Sequence, residues 1–200
     1  MTVGPEYFDA LYASRQDPWS FMERWYERRK RALTIAALPH AGYSRAFEIG
    51  CSIGNLTAEL AERCDTLVSV DAAAAAVATA RTRLDGLNNV EVSVMNVPSQ
   101  WPAGTFDLIV LSEVAYYFDE KDLHGLLDVV VASLNPGGVL VACHWRHPVA
   151  DYPLTGDRSH ELIRASAGVQ MMAEYVDHDL RLEVFGLQRL QSVAQREGLA

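Results

Sequence analysis

The run Phe47-Glu48-Ile49-Gly50-Cys51-Ser52-Ile53-Gly54-Asn55 holds the residue types best suited to ligand chemistry in this chain of 200. Gly50 and Gly54 let the backbone turn sharply and approach a ligand closely, because no Cβ stands in the way. A dinucleotide loop asks for Gly-x-Gly-x-x-Gly. Those positions here hold Gly50, Ser52 and Asn55, so two glycines are absent and a pyrophosphate is disfavoured. A hydrolase elbow asks for Gly-x-Ser-x-Gly, which Gly50 to Gly54 match letter for letter. Such an elbow sits on a central strand with several strands before it, whereas only helical sequence precedes Ile49, so Ser52 reads better as a small residue in a tight turn. Glu48 makes the loop better suited to a cationic ligand than to a phosphate. Asp71 lies 23 positions further on (71 minus 48), at the end of the apolar run Leu67-Val68-Ser69-Val70. An acid there can accept both hydroxyl protons of a ribose. It also directly precedes an alanine-rich helix, where an acid caps the N-terminus, and the two roles are compatible.

The elements that must position these residues alternate in a regular way. Short apolar runs at 45–49, 66–70, 90–94, 106–111 and 138–143 read as strands, and the stretches 54–63, 72–85 and 120–134 read as helices long enough for right-handed crossovers. Before them, Asp17-Pro18 is a good N-cap and first-turn pair for one long helix from 18 to 38, ended by Pro39 and Gly42. After Cys143 the rhythm changes: 144–158 reads as a loop, 159–168 as a short helix, and 171–177 with 180–189 as two strands joined at His178 and Asp179. The expected fold is α/β: a doubly wound, seven-stranded, mostly parallel sheet whose last strand is antiparallel, with an N-terminal helical lid. One domain, 1–200, is expected, with 1–40 covering the site, 45–145 as core and 146–200 on the far side.

Composition narrows the function classes. The formal charge of −9, from 26 acids against 17 bases, repels nucleic acid and anionic lipid, so no nucleic-acid partner is expected. No window reaches the roughly 18 uncharged apolar residues of a membrane span, and Met1 to Asp9 carry no cationic apolar export signal, so the cytoplasm is the expected compartment. Cys51, Cys64 and Cys143 are odd in number, widely spaced and free of a Cys-x-x-Cys pair, which fits reduced core residues rather than a disulfide framework or a zinc site.

Four blocks, in order, resemble the class I S-adenosylmethionine (SAM)-dependent methyltransferases. They are Glu48-Ile49-Gly50-Cys51-Ser52-Ile53-Gly54, Leu67 to Asp71, Met95-Asn96-Val97, and Phe106 to Phe118 followed by Leu134-Asn135-Pro136-Gly137-Gly138-Val139-Leu140-Val141. Ser52 departs from the middle glycine of the first motif and Asn96 from the more usual Asp. The resemblance implies that Glu48, Gly50, Cys51, Ser52, Gly54 and Asn55 surround the amino-acid end of SAM, that Asp71 holds the ribose, and that Asn96 and Val97 meet the adenine. It also implies that Ser112 stands beside the cofactor, and that S-adenosyl-L-homocysteine (SAH) is the product. Tyr7-Phe8, Asp17-Pro18-Trp19, Trp25 to Lys30 and His144-Trp145-Arg146 through Asp157 look like the nodulation protein S branch, an N-methyltransferase group. That likeness implies methylation of a small acceptor, with the nitrogen of an amino sugar or oligosaccharide favoured.

Transfer from a sulfonium needs no nucleophilic side chain, only alignment, exclusion of water and, for an amine, one weak base. Ligands of such sheets sit at the carboxyl ends of the strands, which directs attention to His144, Glu113 and Tyr116. His144 is the first choice of base because its ordinary pKa lies nearest working pH. A buried structural histidine is the competing reading. No metal is expected: His144 and His147 are poorly spaced for one strand face and no acid or cysteine cluster joins them. Trp19, Trp25 and Tyr26 are candidates to lay a ring near the sulfonium or adenine, and Arg29 to pair with the cofactor carboxylate. The competing reading of 24–31 is a solvated basic face. A SAM-binding relative without turnover and a nucleotide-dependent oxidoreductase remain as alternatives.

Overall fold

The computed structural model describes residues 1–188 and 191–200. Its seven strands are β1 (Tyr43–Ile49), β2 (Cys64–Asp71), β3 (Val90–Val94), β4 (Phe106–Ser112), β5 (Leu134–Trp145), β6 (Gln170–Val176) and β7 (Leu180–Gly186). They form one sheet in the order β3-β2-β1-β4-β5-β7-β6, parallel except for β7. The helices are α1 (Pro5–Ser14), α2 (Trp25–Ala36), α3 (Asn55–Ala61), α4 (Ala74–Arg83), α5 (Glu120–Ser133), α6 (Gly156–Ala165) and the short α7 (Val193–Arg196). This is the doubly wound α/β architecture expected of the alternating runs.

Side chains one apart along a strand point to opposite faces, and here both faces are covered, as parallel strands require. Phe47, Ile49, Val68, Val70, Ile109 and Leu111 pack toward Leu123, Leu126 and Val130 of α5 and Leu162 and Ile163 of α6. Their neighbours Ala46, Leu67, Leu108 and Val110 face Leu56 and Leu60 of α3 and the apolar edge of α2. Phe47, fully buried, stacks on Phe106 with ring centroids 5.1 Å apart and meets Trp101 edge-on at 4.9 Å.

Three departures from the expected elements have local causes. The long helix over 18–38 does not form. Asp17 does cap a turn, accepting from the amides of Phe21 at 2.9 Å and Met22 at 3.3 Å, but Ser20 turns to φ +59 and the helix starts afresh at Trp25. Trp19 and Phe21, two positions apart, would lie on nearly opposite sides of a helix, yet both pack with Tyr12, Ile53 and Ala73 in one cluster, and that packing wins. α6 starts at Gly156, three residues early, because the Thr155 side chain caps it by accepting from the Arg158 amide at 3.1 Å. The last expected strand, over 180–189, ends at Gly186; its final residue, Arg189, lies outside the described residues. Phe47→Ala is expected to lower the unfolding free energy by about 3–5 kcal/mol, since the rings above and below cannot collapse into the space. Urea unfolding measures it.

Candidate functional site

The parallel strands β1, β2 and β4 end on the same edge of the sheet, and a cavity of about 850 Å³ opens there under α1 and α2. Its floor is the turn after β1. The amides of Gly50 and Cys51 both donate to the Val70 carbonyl, at 2.8 and 2.9 Å, so the loop hangs from the end of β2. Gly50 sits at φ +78, where a Cβ would lie 2.3 Å from Cγ2 of Val114. Ser52, also at positive φ (+50), donates its amide to Oδ2 of Asp71 at 2.8 Å, while Oδ1 accepts from the Ala73 amide at 2.9 Å. Asp71 therefore shapes the loop and its carboxylate still lines the cavity. Burial pushes its pKa up and the amides pull it back. The Ser52 hydroxyl pairs with the Tyr12 hydroxyl of α1, tying the cover to the floor. Gly54, at φ +82, begins α3 behind the loop rather than on the cavity wall.

Glu48 is buried, and its Oε2 accepts from the hydroxyls of Thr57 at 2.6 Å and Ser69 at 2.9 Å. Burial raises its pKa to about 7 against the pull of those two hydroxyls. Asn55, Asn96, Val97 and Ser112 line the same cavity, together with Trp19 and Tyr26 from above. Two lining groups, Nδ2 of Asn55 and the hydroxyl of Tyr26, are buried without a partner among the described residues. A native fold rarely leaves such atoms unmatched unless something else meets them.

The far wall is built around a lysine. Lys30 of α2 donates to Oε2 of Glu27 at 2.9 Å and to Oε1 of Glu113 at 2.8 Å. Oε2 of Glu113 accepts from the Tyr116 hydroxyl and from the Trp145 amide at 3.2 Å. Burial alone would neutralise all three charged groups. The two carboxylates outweigh it at Lys30, whose pKa is raised, and the ammonium outweighs it at Glu113, whose pKa is lowered. At Glu27 burial prevails and the pKa is raised. Tyr116 stacks on Tyr152 with centroids 5.0 Å apart, and Tyr117 meets Tyr152 at 4.6 Å and Phe8 at 4.8 Å, so an aromatic wall flanks the acids.

Two expected residues are placed elsewhere. His144 is fully buried and off the cavity wall. Its Nε2 accepts from the Ala115 amide at 3.0 Å, so its proton is on Nδ1, facing Nε2 of His160 at 3.1 Å. His160 in turn donates from Nδ1 to Oε2 of Glu183 at 2.7 Å. Burial lowers both imidazoles to about 3. With both nitrogens occupied, His144 is a strut for the 3₁₀ turn Ala115–Tyr117, and the reading of it as the base is corrected. Arg29 faces the outer side of α2, where it pairs with Asp177 at 2.7 Å and the Tyr175 hydroxyl at 2.6 Å, away from the cavity. Trp25 is 69% exposed. The supposed solvated basic face hides a stripe the sequence did carry: Glu27, Lys30 and Thr34, at helical spacing, are its buried residues.

This fold, with a glycine turn and an acid at the next strand end, is that of the class I SAM-dependent methyltransferases. The nodulation protein S (NodS) family model matches residues 11–152, and the chain belongs to that family. Nodulation protein S of Rhizobium tropici is 31% identical over 127 residues, 62% of this chain and 53% of that protein, so the chain spans about half the length of this curated relative. The crystal structure of a candidate methyltransferase from Pseudomonas syringae is 46% identical with a TM-score of 0.73, over 81% of this chain and 99% of that one. N-methyltransferase NodS from Bradyrhizobium japonicum, solved with SAH, shares the fold at a TM-score of 0.82 and 22% identity, over 92% of this chain and 98% of that one.

The buried imidazoles set an acid limit. An unfolded histidine takes its proton near pH 6.5, whereas these resist until about 3, so the unfolded state binds more protons in between and stability falls as pH falls through that window. Each histidine contributes a slope of up to about 1.4 kcal/mol per pH unit. Glu48 works in the opposite sense between about 4.5 and 7, because its folded form holds the proton longer. Urea unfolding at several pH values is expected to show a shallower acid slope in His144→Gln than in the wild type.

Proposed function

We propose that the chain, working as a single domain, is a SAM-dependent methyltransferase that moves a methyl group to a small-molecule acceptor, an amino-sugar nitrogen being favoured. The observation that carries the reading is one cavity, of about 850 Å³, shared by the Gly50 loop, Asp71 and the Glu27–Lys30–Glu113 wall. That volume is within the usual range for small-ligand sites and has room for two ligands end to end. The residues fit an adenosyl cofactor: the glycine turn leaves backbone exposed, Asp71 keeps lone pairs for hydroxyl donors, and the unpartnered amide of Asn55 faces the cavity. SAM supplies a methyl group already activated by the positive charge on its sulfur.

The remaining chemistry belongs to the chain. Glu48, Gly50, Cys51, Ser52 and Asn55 would receive the amino-acid end, with Gly54 turning the chain into α3 behind them, Asp71 the ribose, and Asn96 and Val97 the adenine, with Ser112 beside them. Trp19, Phe21 and Tyr26 exclude water from above, which strengthens electrostatic interactions inside. Glu113 and Tyr116 hold the acceptor's polar groups, and the aromatic wall suits the flat apolar faces of a sugar ring. A cytoplasmic setting is supported by three free, buried cysteines, and no helix among the described residues is long and apolar enough to cross a membrane.

Isothermal titration calorimetry is expected to show SAH binding, and Gly50→Ala to weaken it at least about tenfold, since the new methyl needs both a left-handed backbone and the space of Val114. No heat at about 1 mM SAH overturns the reading. With SAM, a panel of D-glucosamine, its β-1,4-linked dimer and hexylamine is expected to yield a methylated product detectable by mass spectrometry.

A further inference from the structure

Resting on methyl transfer to nitrogen, we propose that Glu27 is the proton acceptor that frees the acceptor amine for attack. The argument is one of lone pairs. The other acids on the cavity wall are set apart from this task by what holds them or by where they sit. Asp71 accepts an amide on each oxygen, and Glu113 takes Lys30 on one and Tyr116 with the Trp145 amide on the other. Glu48 accepts Thr57 and Ser69 on Oε2 and keeps Oε1 free among the described residues, but it lies under the glycine turn rather than on the far wall, and Asp179, paired through one oxygen with His147, is nearly half exposed. Glu27 is held by one oxygen only: Lys30 takes Oε2, and among the described residues Oε1 has no partner while the side chain lines the cavity. His144, the imidazole nearest this wall, has no free lone pair.

The surroundings suit the task. Glu27 is faced by Lys30 and Arg31 on its own helix, by the Tyr26 hydroxyl, and from the sheet by Glu113 and the Cys143 thiol. The two acids and one lysine leave a net charge of −1, which attracts an ammonium. Near a positive sulfonium, that ammonium is destabilised and gives up its proton more readily. The proton of R–NH3+ passes to Oε1 of Glu27, leaving R–NH2 and a neutral carboxyl. The nitrogen lone pair then forms the bond to the methyl carbon as the carbon–sulfur bond breaks, its electrons returning to sulfur, so that R–NH2CH3+ and SAH result. The Glu27 proton afterwards returns to water. The raised affinity of Glu27 for protons brings it closer to the amine and makes the first transfer less uphill. Lys30 keeps the carboxylate in place and Glu113 keeps Lys30 charged; both are positioning residues.

Glu27→Gln keeps the shape and removes the base. The expected result is SAH affinity within about twofold of wild type, binding of the best panel amine to the SAH-loaded protein weakened about tenfold, and kcat lowered about 100-fold or more. The acid limb of the wild-type kcat profile is expected to vanish in Glu27→Gln, and Glu27→Asp to recover part of the rate. If Glu27→Gln unfolds, Glu27→Asp decides alone: an acid limb displaced from that of wild type supports the assignment. Turnover of Glu27→Gln within threefold of wild type, or an acid limb that neither variant moves, overturns it. A wild-type protein that binds SAH but methylates no amine removes transfer to nitrogen first, and this role with it.

Discussion

A single buried ammonium holds the cover of this site to its sheet. Lys30 reaches from α2 to Glu113 at the end of β4, and Glu27 completes its shell from one helical turn before. A buried charge is costly unless matched, and the match here extends further through the Tyr116 hydroxyl and the Trp145 amide. Removing any one member leaves the others exposed to that cost, so the position of α2 over the strand ends is set by electrostatics as much as by packing. The same arrangement explains the left-handed backbone of Glu113, at φ +60, which turns its carboxylate back toward the lysine.

The opposite end of the cavity is held by backbone groups instead. Gly50, Cys51 and Ser52 direct their amides to the end of β2, so the loop's shape depends on Val70 and Asp71 rather than on its own side chains. This gives Asp71 a second task that spacing alone does not show: the helix that follows it is capped by no side chain, and the carboxylate serves the loop as well as the Ala73 amide. Ser52 tolerates its left-handed conformation because the turn is fixed from both sides, by Asp71 below and Tyr12 above.

The sheet, its crossovers and the glycine loop were legible because they rest on local signals: apolar runs, glycines at fixed offsets, an acid at the next strand end. Of the far wall, Glu113 and Tyr116 were marked by their place at a strand end, whereas Glu27 and Lys30 were not, because the wall joins positions far apart in the chain, 27 and 30 with 113, 116 and 145. Burial of Glu27 and Lys30 reverses the ordinary expectation for charged residues on a helix, although their spacing with Thr34 marked one face. His144 misled for the complementary reason. Its place at a strand end is favourable for catalysis, but its environment depends on His160 and Glu183, which no local signal brings together. Trp19 and Phe21 broke a helix whose start signal was sound.

The outer side of α2 carries Arg29, clasped by Tyr175 and Asp177 of the β6–β7 hairpin. One helix thus presents its inner residues to the cavity and its outer residue to the hairpin. A change in the length or charge of that hairpin bears on the helix through this clasp, and so on the end of the cavity that Glu27 and Lys30 line, whereas the Gly50 loop is held from β2 instead. Sequences on such a scaffold can therefore drift in the shape of this cavity through a hairpin that reaches its wall at Asp179 of the turn.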